Sequence, residues 1–356
     1  MAIKYTKLKA FHFPDVVGAL PRESGQVHAP LHIRFKPTNV CSHNCRYCAY
    51  RAANLQLGQD MDPRATVSRG KMLELVEDFT SMGVKAVTFS GGGDPFCWPH
   101  LAECVRGLAA GGVKTASLTN GALLRGEAAE ALAEHGSWLR VSMDGWDADS
   151  YAAYRGVGRN EFAKVLANME AFKRLGGSCF LGVSLVIDKD NAPYIYDLTA
   201  RLRDVGVDSV KYGPCIISND AAENNAYHAP ILTEVKLQAE RAKNELAGPD
   251  FEIFDSYHLL DEKFTKPYTW CPYLQLLTVV GADLNVYSCQ DKAYNLGCGL
   301  LGSIRERRFR DFWMDGKDKF FTIDPSRHCS HHCVANGKNS LVLEFLEADR
   351  DHLAFV

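Results

Sequence analysis

LHIRFKPTNVCSHNCRYC, residues 31–48, joins a short apolar and β-branched run to a loop carrying Cys41, Cys45 and Cys48. Five further runs of the same kind follow, at residues 84–90, 114–119, 138–143, 179–187 and 208–213. Between them, residues 71–82, 101–110, 126–134, 161–175 and 195–204 space their apolar side chains three and four apart, for example Leu73, Val76, Phe79 and Met82. That period belongs to helices and the short runs to strands. Six strand–helix units in series predict an α/β fold with a parallel sheet and right-handed crossovers, curled into a partial (β/α)6 TIM-like barrel. In such barrels the active site gathers at the C-terminal ends of the strands. The cysteine loop follows the first predicted strand, and Gly91-Gly92-Gly93 follows the second.

Composition shifts after Gly248-Pro249, a turn signal. Residues 274–288 then read as two short strands around Gly281-Ala282-Asp283, a hairpin pattern, and residues 305–314 as a helix. The predicted organisation is an N-terminal extension (1–30), the barrel (31–247) and a small C-terminal β-hairpin and helix domain (248–356).

The chain has 356 residues, 46% of them hydrophobic, which suffices for one large domain with an appendage. A net charge of -3 sets up no field for nucleic acid, so no nucleic-acid partner is expected. Neither a signal peptide nor a transmembrane stretch is apparent, which predicts a cytoplasmic protein with no membrane partner. Twelve cysteines in a reducing compartment point to metal or redox chemistry rather than disulfides.

The spacing Cys41-x3-Cys45-x2-Cys48 suits soft metals, iron–sulfur or zinc. Zinc wants a fourth protein ligand, and His43 inside the loop is available for it. Three cysteines alone leave one iron of a cluster open to an outside ligand. The stretch VCSHNCRYC resembles the CxxxCxxC signature of the radical SAM superfamily, including the aromatic Tyr47 before the third cysteine. The resemblance implies a 4Fe-4S cluster on Cys41, Cys45 and Cys48, with S-adenosylmethionine on the open iron and a 5'-deoxyadenosyl radical as the hydrogen-abstracting species. It also implies that Gly92, Gly93 and Asp94 hold the methionine amino group, with Asp in place of the family's usual Glu. Ser142, Asp144 and Arg155, with Tyr47, are implied near the cofactor, Arg155 as a carboxylate fork.

Cys271 and Cys289 bracket the predicted hairpin, and Cys329-x3-Cys333 follows the predicted helix, so the two pairs are placed to converge on one tetrahedral site. This pattern is similar to the twitch form of the SPASM/twitch domains, and implies a second, auxiliary 4Fe-4S cluster on Cys271, Cys289, Cys329 and Cys333. Cys298, between glycines, reads as packing or as a replacement ligand, and His328, His331 and His332 leave a zinc site as the alternative. The forty residues before Cys41 are short for a leader-binding module, so a small polar metabolite of sugar, cyclitol or nucleoside type is the expected substrate. A flavodoxin or ferredoxin would deliver the electron. A radical maturase of a peptide, and a non-catalytic iron–sulfur or zinc protein, are the alternatives. Lys211-Tyr212-Gly213-Pro214-Cys215 ends the sixth predicted strand, which makes Cys215 and, second to it, Tyr212 candidates to meet a substrate radical, as in an epimerase. Plain packing is the other use of that thiol.

Overall fold

The computed structural model describes residues 3–257 and 263–355. Strands β1 (His32–Phe35), β2 (Ala86–Phe89), β3 (Lys114–Thr119), β4 (Gly136–Ser142), β5 (Phe180–Ile187) and β6 (Ser209–Pro214) are parallel neighbours in chain order, as the runs in residues 31–213 predict. A seventh parallel strand, β7 (Glu252–Asp255), lies beyond β6. The stretch EIFD does not predict it; the register Ser209↔Glu252 to Tyr212↔Asp255 supplies the pairing that its own pattern lacks. β8 (Leu277–Val280) and β9 (Asn285–Tyr287) form the expected hairpin, and β10 (Leu300–Ser303) adds to it antiparallel.

The hairpin is not a separate sheet. β8 lies parallel to β1, from His32↔Leu277 to Phe35↔Val280, giving one ten-stranded sheet in the order β10-β9-β8-β1-β2-β3-β4-β5-β6-β7. Composition changes at residue 248, but the sheet does not stop there.

Alternation along the strands divides the sheet into two faces. Ile33, Phe35, Val87, Phe89, Leu139, Val141, Val183 and Val210 are fully buried against the helices in the main core. The side chains between them, including Arg34, Thr88, Arg140, Ser142, Ser184 and Lys211, therefore belong to the opposite, concave face. Helix Arg69–Met82 illustrates the packing: Ser68 caps it by accepting from the Lys71 amide at 3.3 Å, and Gly83 ends it at φ 78°. Its buried apolar residues are Met72, Leu75 and Phe79. The expected stripe through Leu73 is thus rotated, with Leu73 at 42% exposure, because two interleaved apolar rows lie on this helix and the sheet selects the other one.

The N-terminal segment is packed against the C-terminal region. Ala10, Val17 and Leu20 share a cluster with Leu276 and Val342. Buried Lys317 donates to Pro21 O (2.7 Å), Ser24 Oγ (2.7 Å) and Gln26 O (3.0 Å). No helix among the described residues is long and apolar enough to cross a membrane.

Candidate active site

Beyond β1 the chain turns over the C-terminal end of the sheet, where the glycine run meets it. A Cβ on Gly93 would lie 2.0 Å from Val40 O, and one on Gly92 2.3 Å from Asn39 Oδ1, so this contact demands glycine. The two loops are joined by Gly93 N to Thr38 O (3.2 Å) and Asp94 N to Val40 O (2.9 Å). Asp94, however, points back into the protein. Its carboxylate accepts from the Thr119 hydroxyl (3.0 Å), the Asn120 amide (2.6 Å) and the Phe96 amide (2.9 Å), at 4% exposure. Asn39 Oδ1 and Ser90 Oγ nearby are buried without a partner.

Cys41, Cys45 and Cys48 share the next turn. Asn44 N and Arg46 N donate to the carbonyls of Arg155 (2.9 Å) and Tyr154 (3.0 Å), which anchors the loop to the end of helix Ala148–Arg155. Two donors reach the sulfurs: Asn120 Nδ2 at 3.7 Å from Cys41 Sγ, and Arg155 Nη1 at 3.6 Å from Cys45 Sγ. Burial pushes the Cys41 and Cys48 thiols up, and the neighbouring cysteines push the same way. His43 turns away from the sulfurs. It is buried, 3.7 Å from Glu161 Oε1 and edge-on to Tyr151, with its pKa lowered to about 4 by burial and then by Arg155.

Arg155 and Asp144 form a buried ion pair at 2.6 Å. The remaining capacity of Asp144 goes to the Val186 amide (2.6 Å) and the Tyr47 hydroxyl. The carboxylate fork of Arg155 is thus met by the protein's own acid, while its other amino group faces the Cys45 sulfur. Ser142 lies at the end of β4 in register with Ser184, on the concave face.

The two residues singled out at the end of β6 separate. Tyr212 is fully buried on the helix side, its hydroxyl 2.8 Å from Thr199 Oγ1, which turns it away from the mouth a hydrogen donor must face. Strand alternation is the reason, since the concave-face neighbours are Lys211 and Gly213. Cys215 lies past the strand, its amide bonded to Ile187 O (2.9 Å) and its carbonyl to His228 Nε2 (2.8 Å). Burial, then Asp188 and Asp144, push its thiol up to about 12, so the sulfur keeps its hydrogen.

Cys271, Cys289, Cys329 and Cys333 line one pocket together with Lys266, Lys292 and His331. Cys298 is outside that lining and takes its turn from Asn295 Oδ1, which accepts from the Cys298 amide at 3.1 Å. Lys266 donates to Phe264 O (2.7 Å) and Lys292 to His328 O (2.7 Å), and both ammonium groups are buried. Burial lifts the Cys271 thiol to about 11 and that of Cys333 to about 12. His331 is buried with both ring nitrogens unpartnered, and a nitrogen of it lies within 4.8 Å of the Cys289 sulfur and an Asp291 oxygen. His328, by contrast, accepts from the Asp324 amide (3.0 Å). Asn120, Lys266 and Lys292 carry no motif and are not singled out by the sequence; their place beside sulfur depends on tertiary contacts.

A parallel partial barrel with a three-cysteine loop over the first strand, followed by a cysteine-lined C-terminal pocket, defines the class of radical enzymes built on S-adenosylmethionine. Residues 35–202 match the family model of the radical SAM superfamily, so the chain carries a radical SAM domain. S-adenosylmethionine and a 4Fe-4S cluster are the cofactors of that superfamily. The chain is 27% identical over 209 residues to GTP 3',8-cyclase of Synechococcus elongatus, covering 57% of this chain and 61% of the relative. To the antilisterial bacteriocin subtilosin biosynthesis protein AlbA of Bacillus subtilis it is 26% identical over 191 residues, 53% of this chain and 40% of the relative. The match thus spans less than two thirds of either curated relative. Streptococcus suis SuiB bound to S-adenosylmethionine shares the fold with a TM-score of 0.63 at 14% identity, covering 88% of this chain and 75% of that one.

The residues present fit the cofactors. Cys41, Cys45 and Cys48 offer three soft ligands with two hydrogen-bond donors at sulfur, and Asn39 Oδ1 and Ser90 Oγ are orphaned acceptors beside the glycine run. The C-terminal pocket offers four thiols beside two buried ammonium groups, a charge balance suited to an anionic cluster.

Proposed function

We propose that the chain abstracts a hydrogen atom from a small polar metabolite, using a 4Fe-4S cluster on Cys41, Cys45 and Cys48 with S-adenosylmethionine, and that Cys271, Cys289, Cys329 and Cys333 hold a second 4Fe-4S cluster. The observation that carries this reading is the three-thiol loop anchored over the strand ends, above a polar concave face. When bound, the cofactors supply reductive cleavage of a sulfur–carbon bond and a 5'-deoxyadenosyl radical.

The protein's part is to position and to balance charge. Arg155 and Asn120 donate to two of the sulfurs and stabilise them as thiolates. Asp144 and Tyr47 fix the guanidinium that does this. Asn39 Oδ1, Ser90 Oγ and the backbone of Gly92 and Gly93 are the acceptors suited to an ammonium group. Asp94 serves the three-cysteine loop indirectly, by holding Asn120, which donates to Cys41, and Ser142 remains a candidate contact on the concave face. Cys215, keeping its S–H, is the residue able to return a hydrogen atom to a substrate radical and give an epimer. Without that return, a proton leaves and the radical's electron would pass to the second cluster, which Cys271, Cys289, Cys329 and Cys333 would hold, giving an oxidised product. A peptide is the competing substrate class, raised by the relative named for bacteriocin biosynthesis.

The test is anaerobic reconstitution followed by strong reductant, or a reduced flavodoxin or ferredoxin, with S-adenosylmethionine. Formation of 5'-deoxyadenosine is expected, and its absence from protein with full iron content would overturn the reading.

A further inference from the structure

The concave face carries charge that the chemistry above leaves unused. Arg34 on β1, Arg140 on β4 and Lys211 on β6 alternate with the buried residues Ile33 and Phe35, Leu139 and Val141, and Val210 and Tyr212. All three therefore share the face turned from the helices, and Lys36 continues the same alternation at the end of β1. Tyr5 brings two of them together: its ring centre is 5.8 Å from the Arg140 guanidinium carbon and 5.1 Å from Lys211 Nζ, and its hydroxyl accepts from Arg140. Tyr5 also packs edge-on to Phe254 at 4.4 Å, and Lys4 lies 4.1 Å from the centre of the Phe180 ring, so this segment covers the end where the strands begin. Lys36 is fully buried, with Nζ 3.0 Å from Gly91 O, directly under the glycine run.

Among the described residues none of these four cations has an ion-pair partner, whereas Arg155 and Lys173 are matched to Asp144 and Asp208 at 2.6 Å. Arg34 Nε is buried with no partner at all. Asp291 faces Arg34 and Lys36 from the C-terminal loop without pairing to either. The like charges act on one another: burial and then Arg34 lower Lys36 to about 7, and burial and then Arg140 lower Lys211 to about 8. Lys36 is buried and Arg34, Arg140 and Lys211 are half-buried, and four unpaired, partly desolvated cations on one concave wall are an arrangement an anion would relieve.

We propose that this wall of Lys36, Arg34, Arg140 and Lys211 binds a polyanionic substrate group of the phosphate ester or diphosphate class. The inference rests on the radical-enzyme reading for its site and names the substrate class: a phosphate-bearing metabolite in place of a neutral sugar or a peptide. Guanidinium and ammonium groups together match phosphate oxygens in number and charge. Closure of the far end by Lys4 and Tyr5 leaves the strand-end mouth as the route of entry.

The experiment is calorimetric titration of inorganic pyrophosphate into the reconstituted protein at fixed ionic strength, with citrate as the carboxylate comparison. Pyrophosphate is expected to bind, at least tenfold more tightly than citrate, and the double variant Arg140→Gln/Lys211→Gln to bind it at least tenfold more weakly. Removing mutually repelling charges should leave that variant's thermal midpoint equal or higher. If it fails to fold, the unaltered protein still decides, because pyrophosphate should shield Lys211 from acylation read by mass spectrometry. No binding and no shielding, unchanged affinity in the variant, or citrate binding as tightly as pyrophosphate would each overturn the proposal. Formation of 5'-deoxyadenosine by the unaltered protein is scored separately. Radical formation without pyrophosphate binding sinks this inference alone, and binding without radical formation sinks the catalytic reading alone.

Discussion

Cys41, Cys45 and Cys48 lie within eight consecutive residues of one loop, whereas Cys271, Cys289, Cys329 and Cys333 reach their pocket from three separated stretches of the C-terminal region. The first group is held by backbone hydrogen bonds to a finished helix end and by two side-chain donors at sulfur. The second is held by pocket walls that include buried Lys266 and Lys292. A short loop costs little conformational entropy to close, so its geometry can exist before metal arrives; a pocket closed from distant segments depends more on what it binds. Loss of metal should therefore be borne differently at the two sites.

The largest effect tests that contrast at its local end. Cys41→Ala/Cys45→Ala/Cys48→Ala should abolish 5'-deoxyadenosine formation and reduce iron from about eight to about four per chain. Its circular dichroism should stay that of the parent; retained activity would remove these cysteines from the site.

At the other end, Cys329→Ser should also remove about four irons, but with a lowered thermal midpoint, while Cys298→Ser keeps the full complement. Equal stability of the Cys329 and Cys298 variants would erase the difference between the two groups, and zinc by anomalous scattering would replace the cluster assignment.

A smaller effect concerns the wall behind the first group. Arg155→Gln leaves Asp144 as an uncompensated buried carboxylate and should cost about 3–5 kcal/mol in urea unfolding. The double change Arg155→Met/Asp144→Leu should recover much of that stability without recovering radical formation. A loss below about 1 kcal/mol would mean that the pair is not desolvated as the structure has it.

The smallest effect belongs to a cysteine in neither group. In deuterated water, substrate turnover by the unaltered protein should place solvent deuterium at the reacting carbon, and Cys215→Ala should shift the product to the oxidised form with little change in stability. A thiol raised to about 12 keeps its proton below that pH, so incorporation should be flat from about pH 7 to about pH 9. Normal turnover in the variant, or incorporation that falls away within that range, would return Cys215 to packing.

Period and spacing were enough for the six sequential strands, because each is a short run buried on its helix side and bounded by loops. β7 was not legible, since EIFD acquires its structure from β6, and the stripe of helix Arg69–Met82 was misphased because apolar residues occupy two of its rows. At the candidate site the cysteines were legible as a motif. Asp94 and Tyr212 could be located at strand ends and Arg155 in the segment that follows the fourth strand, but not which way their side chains turn: Asp94 towards Asn120, Arg155 towards Asp144, Tyr212 towards Thr199. Those directions are set by partners 11 to 26 positions away or on the other side of a strand, which no local pattern encodes.

The pairing of β8 with β1 also has a meaning for how the chain is made. β1 leaves the ribosome early, yet its free edge waits for strand residues about 240 positions later, roughly 12 to 50 s at ordinary elongation speeds. During that interval a parallel barrel segment presents an unpaired strand edge beside three thiols. Shielding of the nascent chain, and delivery of iron and sulfide only after β8 has been translated, would let the same ladder that joins the two cysteine groups also set the order in which they are filled.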